Sequence, residues 1–154
     1  MSTPNWLNRA EMKAWLGFIT TTADLLRKIE RDLEPFGLDG GDYQLLAMLS
    51  EAPGYKMKLS ELATTLRLSR GGLTRRMEGV LRADYVARVR DKTDGRAAFA
   101  QLTTVGFELL KKVAPVHLTS VRRRMIDHLS KAEIAAFGNA FAKISKQINN
   151  GDYQ

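Results

Sequence analysis

A mainly α-helical protein carrying one small β-wing is the fold class the sequence predicts, and three observations predict it. Apolar residues recur at helical spacing near both ends of the chain. Between them, Lys58 to Thr103 reads as two short helices, a tight turn and a basic hairpin. Charge collects in the same place: from Lys56 to Arg96 eleven Lys and Arg stand against five Asp and Glu, an excess of six in a chain of formal net charge +7. Together they predict a winged helix-turn-helix with long N- and C-terminal dimerisation helices. The expected division, within one compact domain of 154 residues, is an N-terminal dimerisation helix over 1–37, a winged helix-turn-helix over 38–104 and C-terminal dimerisation helices over 105–154.

From Met12 to Leu33, Trp15, Phe18, Ile19, Thr22, Leu25, Leu26, Ile29 and Leu33 fall on one helical stripe and Arg27, Lys28, Glu30 and Arg31 on the other. Pro35 and Gly37 are expected to end this helix. Asp42 is the expected cap of a second helix holding Tyr43, Leu45, Leu46, Met48 and Leu49, closed by Pro53-Gly54. Lys56-Met57-Lys58 is then a short strand that completes the wing's sheet.

Ser60 is the expected cap of the next helix, whose apolar face is Leu59, Leu62, Ala63 and Leu66. Ser69 caps the helix after it, with Leu73, Met77, Val80 and Leu81 on the core side and Gly71, Gly72, Arg75, Glu78, Gly79 and Arg82 outward. Each glycine near a helix start costs about 1 kcal/mol relative to Ala, so close approach to a phosphate is a reason to keep Gly71 and Gly72. Tyr85, Val86 and Val89, then Ala98 and Phe99, mark two strands joined by the charged tip Asp91 to Arg96.

Beyond Gly106, Phe107, Leu110, Val113, Leu118, Val121, Met125 and Leu129 predict a helix kinked at Pro115. Arg122, Arg123 and Arg124 face three directions on it and are expected to be largely solvated. Ser130 and Glu133 form a capping box for the last helix, where Ile134, Phe137, Phe141, Ile144 and Ile148 make a narrow seam suited to pairing in a dimer interface. Asn149 to Gln154 reads as a frayed tail.

These residues resemble the multiple-antibiotic-resistance regulator (MarR) family of bacterial transcription factors. The likeness is carried by LSELA, LSRGGLTRRMEG, Asp94-x-Arg96 in the hairpin and Leu102-Thr103-x-x-Gly106, in that order and spacing. It runs from about Trp15 to Ile148. The chain departs from the family pattern at Asp84, where Gly is usual, and at Gly95, where a further Arg is usual. The resemblance implies a homodimeric repressor of a palindromic DNA operator, released by a small phenolic or lipophilic ligand. It also implies that Arg96 enters the minor groove and that Asp94 braces the wing's arginines.

For DNA binding the sequence therefore nominates Ser69, Arg70, Gly71 and Gly72 to hold the backbone, Arg75 with Thr74 and Arg76 to reach base edges, and Arg88, Arg90, Lys92, Asp94 and Arg96 in the wing. The resemblance further suggests Trp15, Phe18 and Tyr43 as the lining of a ligand pocket, the other reading being that these aromatics are simply core. A winged-helix module that binds protein or RNA without reading DNA sequence is the alternative. The exposed Arg75 and Arg82 weigh against it, since a protein-binding face needs an outward apolar patch.

Catalysis, a metal and a cofactor are not expected. His117 and His128 lie eleven residues apart on what reads as one helix, roughly 16 Å at 1.5 Å per residue, too far to share an ion within a chain. No P-loop, dinucleotide fingerprint or HExxH pattern occurs. The absence of cysteine removes disulfide and thiolate chemistry and is compatible with a reducing cytoplasm. The N-terminal residues lack a signal pattern, and no run approaches the ~18 to 20 apolar residues of a membrane span.

Overall fold

In a computed structural model, which describes residues 4–148, six helices and a three-stranded sheet follow the predicted order. Helix α1 spans Arg9–Arg31, α2 Gly40–Glu51, α3 Leu59–Leu66, α4 Arg70–Arg82, α5 Thr104–Arg124 and α6 Lys131–Ile148. The strands are β1 Lys56–Lys58, β2 Val86–Arg90 and β3 Ala98–Leu102, antiparallel in the order β1-β3-β2. Val86 pairs with Leu102 at the root of the wing and Arg90 with Ala98 at its outer end. The short strand expected at Lys56 to Lys58 does complete the sheet, pairing with Phe99, Ala100 and Gln101.

The core sits beneath the helix-turn-helix. Leu33, Leu45, Leu46 and Leu49 meet Leu62, Met77, Val80, Val86 and Val113, all fully buried or nearly so. By contrast, neither α1 nor α6 buries a single residue. No helix among the described residues is long and apolar enough to cross a membrane.

Several boundaries differ from expectation, mostly because a nearer cap wins. Helix α1 begins at Arg9 rather than near Met12, since Asn8 accepts from the amides of Ala10 and Glu11 while the Glu11 carboxylate accepts from the Asn8 amide at 2.7 Å. It ends at Arg31, and Pro35 and Gly37 belong to the 3-10 turn beyond it, Gly37 being left-handed at φ 70°. Asp39, not Asp42, caps α2: Asp42 is the third residue of the helix, and the two carboxylates accept from one another's amides at 2.7 and 3.2 Å. Ser60 caps nothing, because α3 starts directly out of β1 at Leu59. The Ser69 cap is where it was expected, its Oγ accepting from the Gly72 amide at 3.0 Å.

The departure at Asp84 does not disturb the fold. Asp84 takes the left-handed conformation (φ 59°) that ends α4, a conformation Asp tolerates better than most residues. The segment Leu102-Thr103-x-x-Gly106 then docks α5 on the wing. The Thr103 hydroxyl donates to the Asp84 carbonyl at 2.6 Å and accepts from the Gly106 amide at 3.0 Å. Gly106 has to be glycine, since a Cβ there would collide with the Tyr85 carbonyl group and stand 2.9 Å from Leu102 Cδ1.

Helix α5 runs through Pro115 but stops at Arg124, so Met125 and Leu129 lie past its end and Leu118 is exposed. His128 falls in a separate 3-10 turn, Ile126–His128, not on the helix of His117. Of the three arginines before it, Arg122 and Arg123 are exposed as expected, and Arg124 is not. Arg124 is half-buried on Asp32 and Ser120, Arg123 reaches Asp32 at 3.6 Å, and Arg122 pairs with Asp127 at 2.7 Å. Arg124 clamps the end of α5 to the end of α1. Hydrogen bonds from Arg124 and Ser120 hold the Asp32 carboxyl below its ordinary pKa. The Ser130–Glu133 capping box starts α6 as expected. The frayed tail expected from Asn149 to Gln154 lies outside the described residues.

Candidate nucleic-acid interface

Helix α4 is held by Leu73, Met77 and Val80, all buried, and so presents a fixed opposite stripe. Gly71, Thr74, Arg75, Glu78 and Arg82 are exposed along it. The two glycines prove to serve different ends. A Cβ on Gly71 would meet nothing within 4 Å, which leaves the backbone open to an approaching phosphate, whereas one on Gly72 would press on Ser69 Oγ at 3.2 Å and on Leu68. Gly72 protects the cap. The amides at this helix start carry partial positive charge, which an anion can share.

Beside α4 stands the wing. An open groove of about 410 Å³ is walled on one side by Arg70 and Thr74 and on the other by Arg88, Arg96, Ala97 and Ala98, with Lys58, Ser60 and Ala63 on its floor. The fold therefore gathers the nominated Arg70, Thr74, Arg88 and Arg96 around one concavity. Arg90 and Lys92 lie farther out, at the end of β2 and in the tip. Among the described residues no carboxylate pairs with Arg70, Arg75, Arg82, Arg88, Arg90 or Arg96. From Lys56 to Thr104 no large hydrophobic side chain is exposed. Such a surface suits a polyanion and offers an apolar partner nothing.

The tip is built by its aspartates. Asp91 Oδ1 accepts from the Thr93 amide (2.9 Å) and hydroxyl (2.8 Å), and those bonds lower its pKa. Asp94 Oδ1 accepts from the Arg96 amide at 3.1 Å, and its carbonyl accepts from Ala97. No ion pair joins Asp94 to an arginine among the described residues, so its contact to the wing is to main chain, not the expected brace of guanidinium groups. Gly95 has an ordinary backbone and open space around it.

Arg76, nominated to reach base edges, does not face outward. One residue beyond Arg75 on a helix points about 100° away, and that turn carries the Arg76 guanidinium to the start of α2. There Nη1 donates to both oxygens of Asp39 at 2.5 Å and to Asp42 at 3.2 Å. Sequence reading missed this cluster. Its signal was available in Asp39-Gly40-Gly41-Asp42, two carboxylates one helical turn apart that need a cation.

The three residues nominated for a ligand pocket are not brought together. Trp15 packs near Phe18 (ring centroids 6.1 Å) and Phe18 near Phe141 of α6 (5.6 Å), while Tyr43 stacks on His117 of α5 at 4.0 Å. Tyr43 and His117 line an open, mostly apolar groove of about 700 Å³ with Leu26, Ile29, Met48 and Val121. Residues 15 and 18 lie some three helical turns, roughly 16 Å, from the part of α1 that reaches this groove. Burial lowers the His117 pKa and raises that of Tyr43, and His117 Nδ1 is buried with no hydrogen-bond partner among the described residues. His117 carries no signal in the sequence beyond its type.

Known proteins agree with this geometry. A sequence profile of the MarR family matches residues 36–97. The chain is 35% identical to AbsC, a MarR family transcriptional regulator from Streptomyces coelicolor, over 96% of this chain and 100% of that one, with a TM-score of 0.92. It is 26% identical to Sco3205, a regulator of the same family and organism whose crystal structure is a complex with DNA, over 97% of this chain and 98% of that one, again with a TM-score of 0.92. The HTH-type transcriptional repressor YetL of Bacillus subtilis is 23% identical over 129 residues, 79% of this chain and 77% of that protein.

Proposed function

The chain belongs to the MarR family and is a DNA-binding transcriptional regulator, and on that premise we propose that it acts in the cytoplasm as a homodimeric repressor of a palindromic operator, relieved by a small ligand. The observation that carries the reading is the joint placement of Arg70 and Thr74 of α4 and Arg88 and Arg96 of the wing around one concavity. In this reading the amides at Ser69, Arg70 and Gly71 seat a phosphate, with Gly72 keeping the Ser69 cap in place, and Arg75 and Thr74 meet base edges in the major groove. Arg88, Arg90, Lys92 and Arg96 hold the flanking backbone, Arg96 reaching into the minor groove. The partner for the apolar face of α1 and α6 is a second copy. Two α4 helices then enter successive major grooves.

Relief of repression would act through the groove lined by Tyr43 and His117, which is apolar enough for a phenolic or lipophilic molecule and lies where α1, α2 and α5 meet. A ligand loosens DNA only by binding the weaker conformation better, and a coupling of ~1 to 3 kcal/mol weakens it by roughly 5- to 150-fold. Selection from a random DNA pool with purified protein tests the central claim. A palindromic winner is expected, and a pool without sequence preference returns the protein- or RNA-binding alternative.

A further inference from the structure

The Arg76 cluster is a polar site that touches the recognition helix from outside the DNA face. It joins the start of α2 to the middle of the recognition helix through a part-buried guanidinium held by two carboxylates. Both carboxylates are already fixed, because each also caps the other's amide. The guanidinium lies flat against Gly41, where a Cβ would stand 2.5 Å from Nη2 and 2.8 Å from Nε. A Cβ there would make the guanidinium shift. Burial opposes ionisation of Asp39, but its bonds from Arg76 and from the Asp42 amide outweigh that and leave its pKa lowered. The hydrogen bond to Asp39 raises the pKa of Arg76.

We infer that Arg76 is a positioning residue for DNA recognition: the seat formed by Asp39, Gly41 and Asp42 fixes the rotation of α4 about its axis, so that Arg75, the next residue along, is aimed at the bases. The inference rests on the reading that α4 enters the major groove. Leu73, Met77 and Val80 set which face of α4 meets the core, and the polar seat beside them adds a directional contact that dispersion lacks. The seat adds direction: Nη1 reaches Asp39 and Asp42 while the rest of the guanidinium packs on Gly41, so both the charge and the plane of the group are placed.

The test compares Arg76→Gln, Arg76→Lys and Gly41→Ala with the full-length protein on its selected palindrome and on scrambled DNA across a salt series. Active protein is counted by stoichiometric titration and folding by thermal melting. Gly41→Ala is the sharper variant, because it removes no charge and alanine is the better helix former, so α2 itself is not weakened. Arg76→Gln and Gly41→Ala are each expected to lower palindrome affinity per active dimer by roughly 5- to 150-fold, the worth of a misaimed bidentate contact. Scrambled DNA and the salt slope should change little, and the double variant should be no worse than the worse single one. Arg76→Lys, which keeps the charge but has no plane to lay against Gly41, should restore only part.

If Arg76→Gln instead flattens the plot of log affinity against log salt by about 0.9 per lost phosphate contact, Arg76 touches DNA directly and the inference is wrong. It is equally wrong if Gly41→Ala binds like the parent. Should Arg76→Gln fail to fold, Gly41→Ala and Asp42→Asn decide the matter alone. A parent protein that selects no palindrome would sink the operator reading itself, which is a separate outcome.

Discussion

Two surfaces of this molecule are exposed for opposite reasons. The face formed by α4 and the wing is cationic, free of large hydrophobic side chains, and rigidly backed by the core. The face formed by α1 and α6 is apolar, with Trp15, Phe18, Ile19, Phe137, Ile144 and Ile148 each at least 40% exposed. Exposure of a guanidinium costs nothing in water. Exposure of a row of aromatic and branched side chains does, at roughly 25 cal/mol per Å² of apolar surface, so this second face is the one that calls for a cover. One face suits a polyanion, and the other is an apolar surface in need of a cover.

The largest effect that separates them is expected on the apolar face. Ile144 is half exposed in the single chain, so Ile144→Asp leaves the protomer's own core untouched yet places a charge in any helix-to-helix seam. An unpaired charge buried there costs several kcal/mol. Sedimentation at micromolar concentration should show monomer, with DNA affinity lost along with the dimer. A stable dimer of Ile144→Asp would mean that the chains pair elsewhere.

Next in size is the cationic face, where two arginines are expected to behave differently. Arg75→Ala should cost about 1 to 3 kcal/mol of DNA binding and relax preference at one symmetric position in each half-site. Arg96→Ala should weaken binding to all sequences alike and flatten the salt dependence by about 0.9 per phosphate charge, roughly 1.8 for two wings. Neither should move the dimer, and raising salt should weaken DNA binding while leaving the apolar face joined. If Arg96→Ala leaves the slope unchanged, the wing's grip belongs to Arg88, Arg90 or Lys92.

What could be read from the sequence follows the range of the forces involved. Helix order, the Ser69 cap, the wing and the left-handed Asp84 rest on residues within a few positions of one another, and each was legible. Competition between neighbouring caps was not: Asp39 and Asp42 both suit the role, and only the chain's path chooses. Longer-range pairings were hidden further. Nothing local tells Arg76, between two other nominated residues, that its partners are more than thirty positions away. Arg124, which reads as one of three solvated cations, finds Asp32 in the same way. The ligand nominees failed by geometry, because aromatic type does not say which turn of α1 will face α2.

The smallest predicted effect belongs to the groove between the two faces. His117 packs on Tyr43 with Nδ1 buried and, among the described residues, unpartnered, and burial sets its pKa below the ordinary value of 6.5. Above that value neither folded nor unfolded chain carries the proton, so His117 contributes no pH dependence. As pH falls through it, the unfolded chain binds a proton that the folded chain resists, and stability declines until the pH passes below the folded pKa. The lowered carboxyls of Asp32 and Asp39 act in a separate window, since the stability they add is lost only below about pH 4. His117→Phe keeps the ring stacked on Tyr43 and removes the proton site. Denaturant titrations from pH 7.5 to 4.5 should therefore show the parent losing stability below about pH 6.5 while His117→Phe stays flat until the acidic window opens. Both faces should be indifferent to this change, with dimerisation and salt slope the same in the two proteins at pH 7.5. A parent whose stability is level across that range would place His117 in contact with water, and the groove would lose its buried polar group.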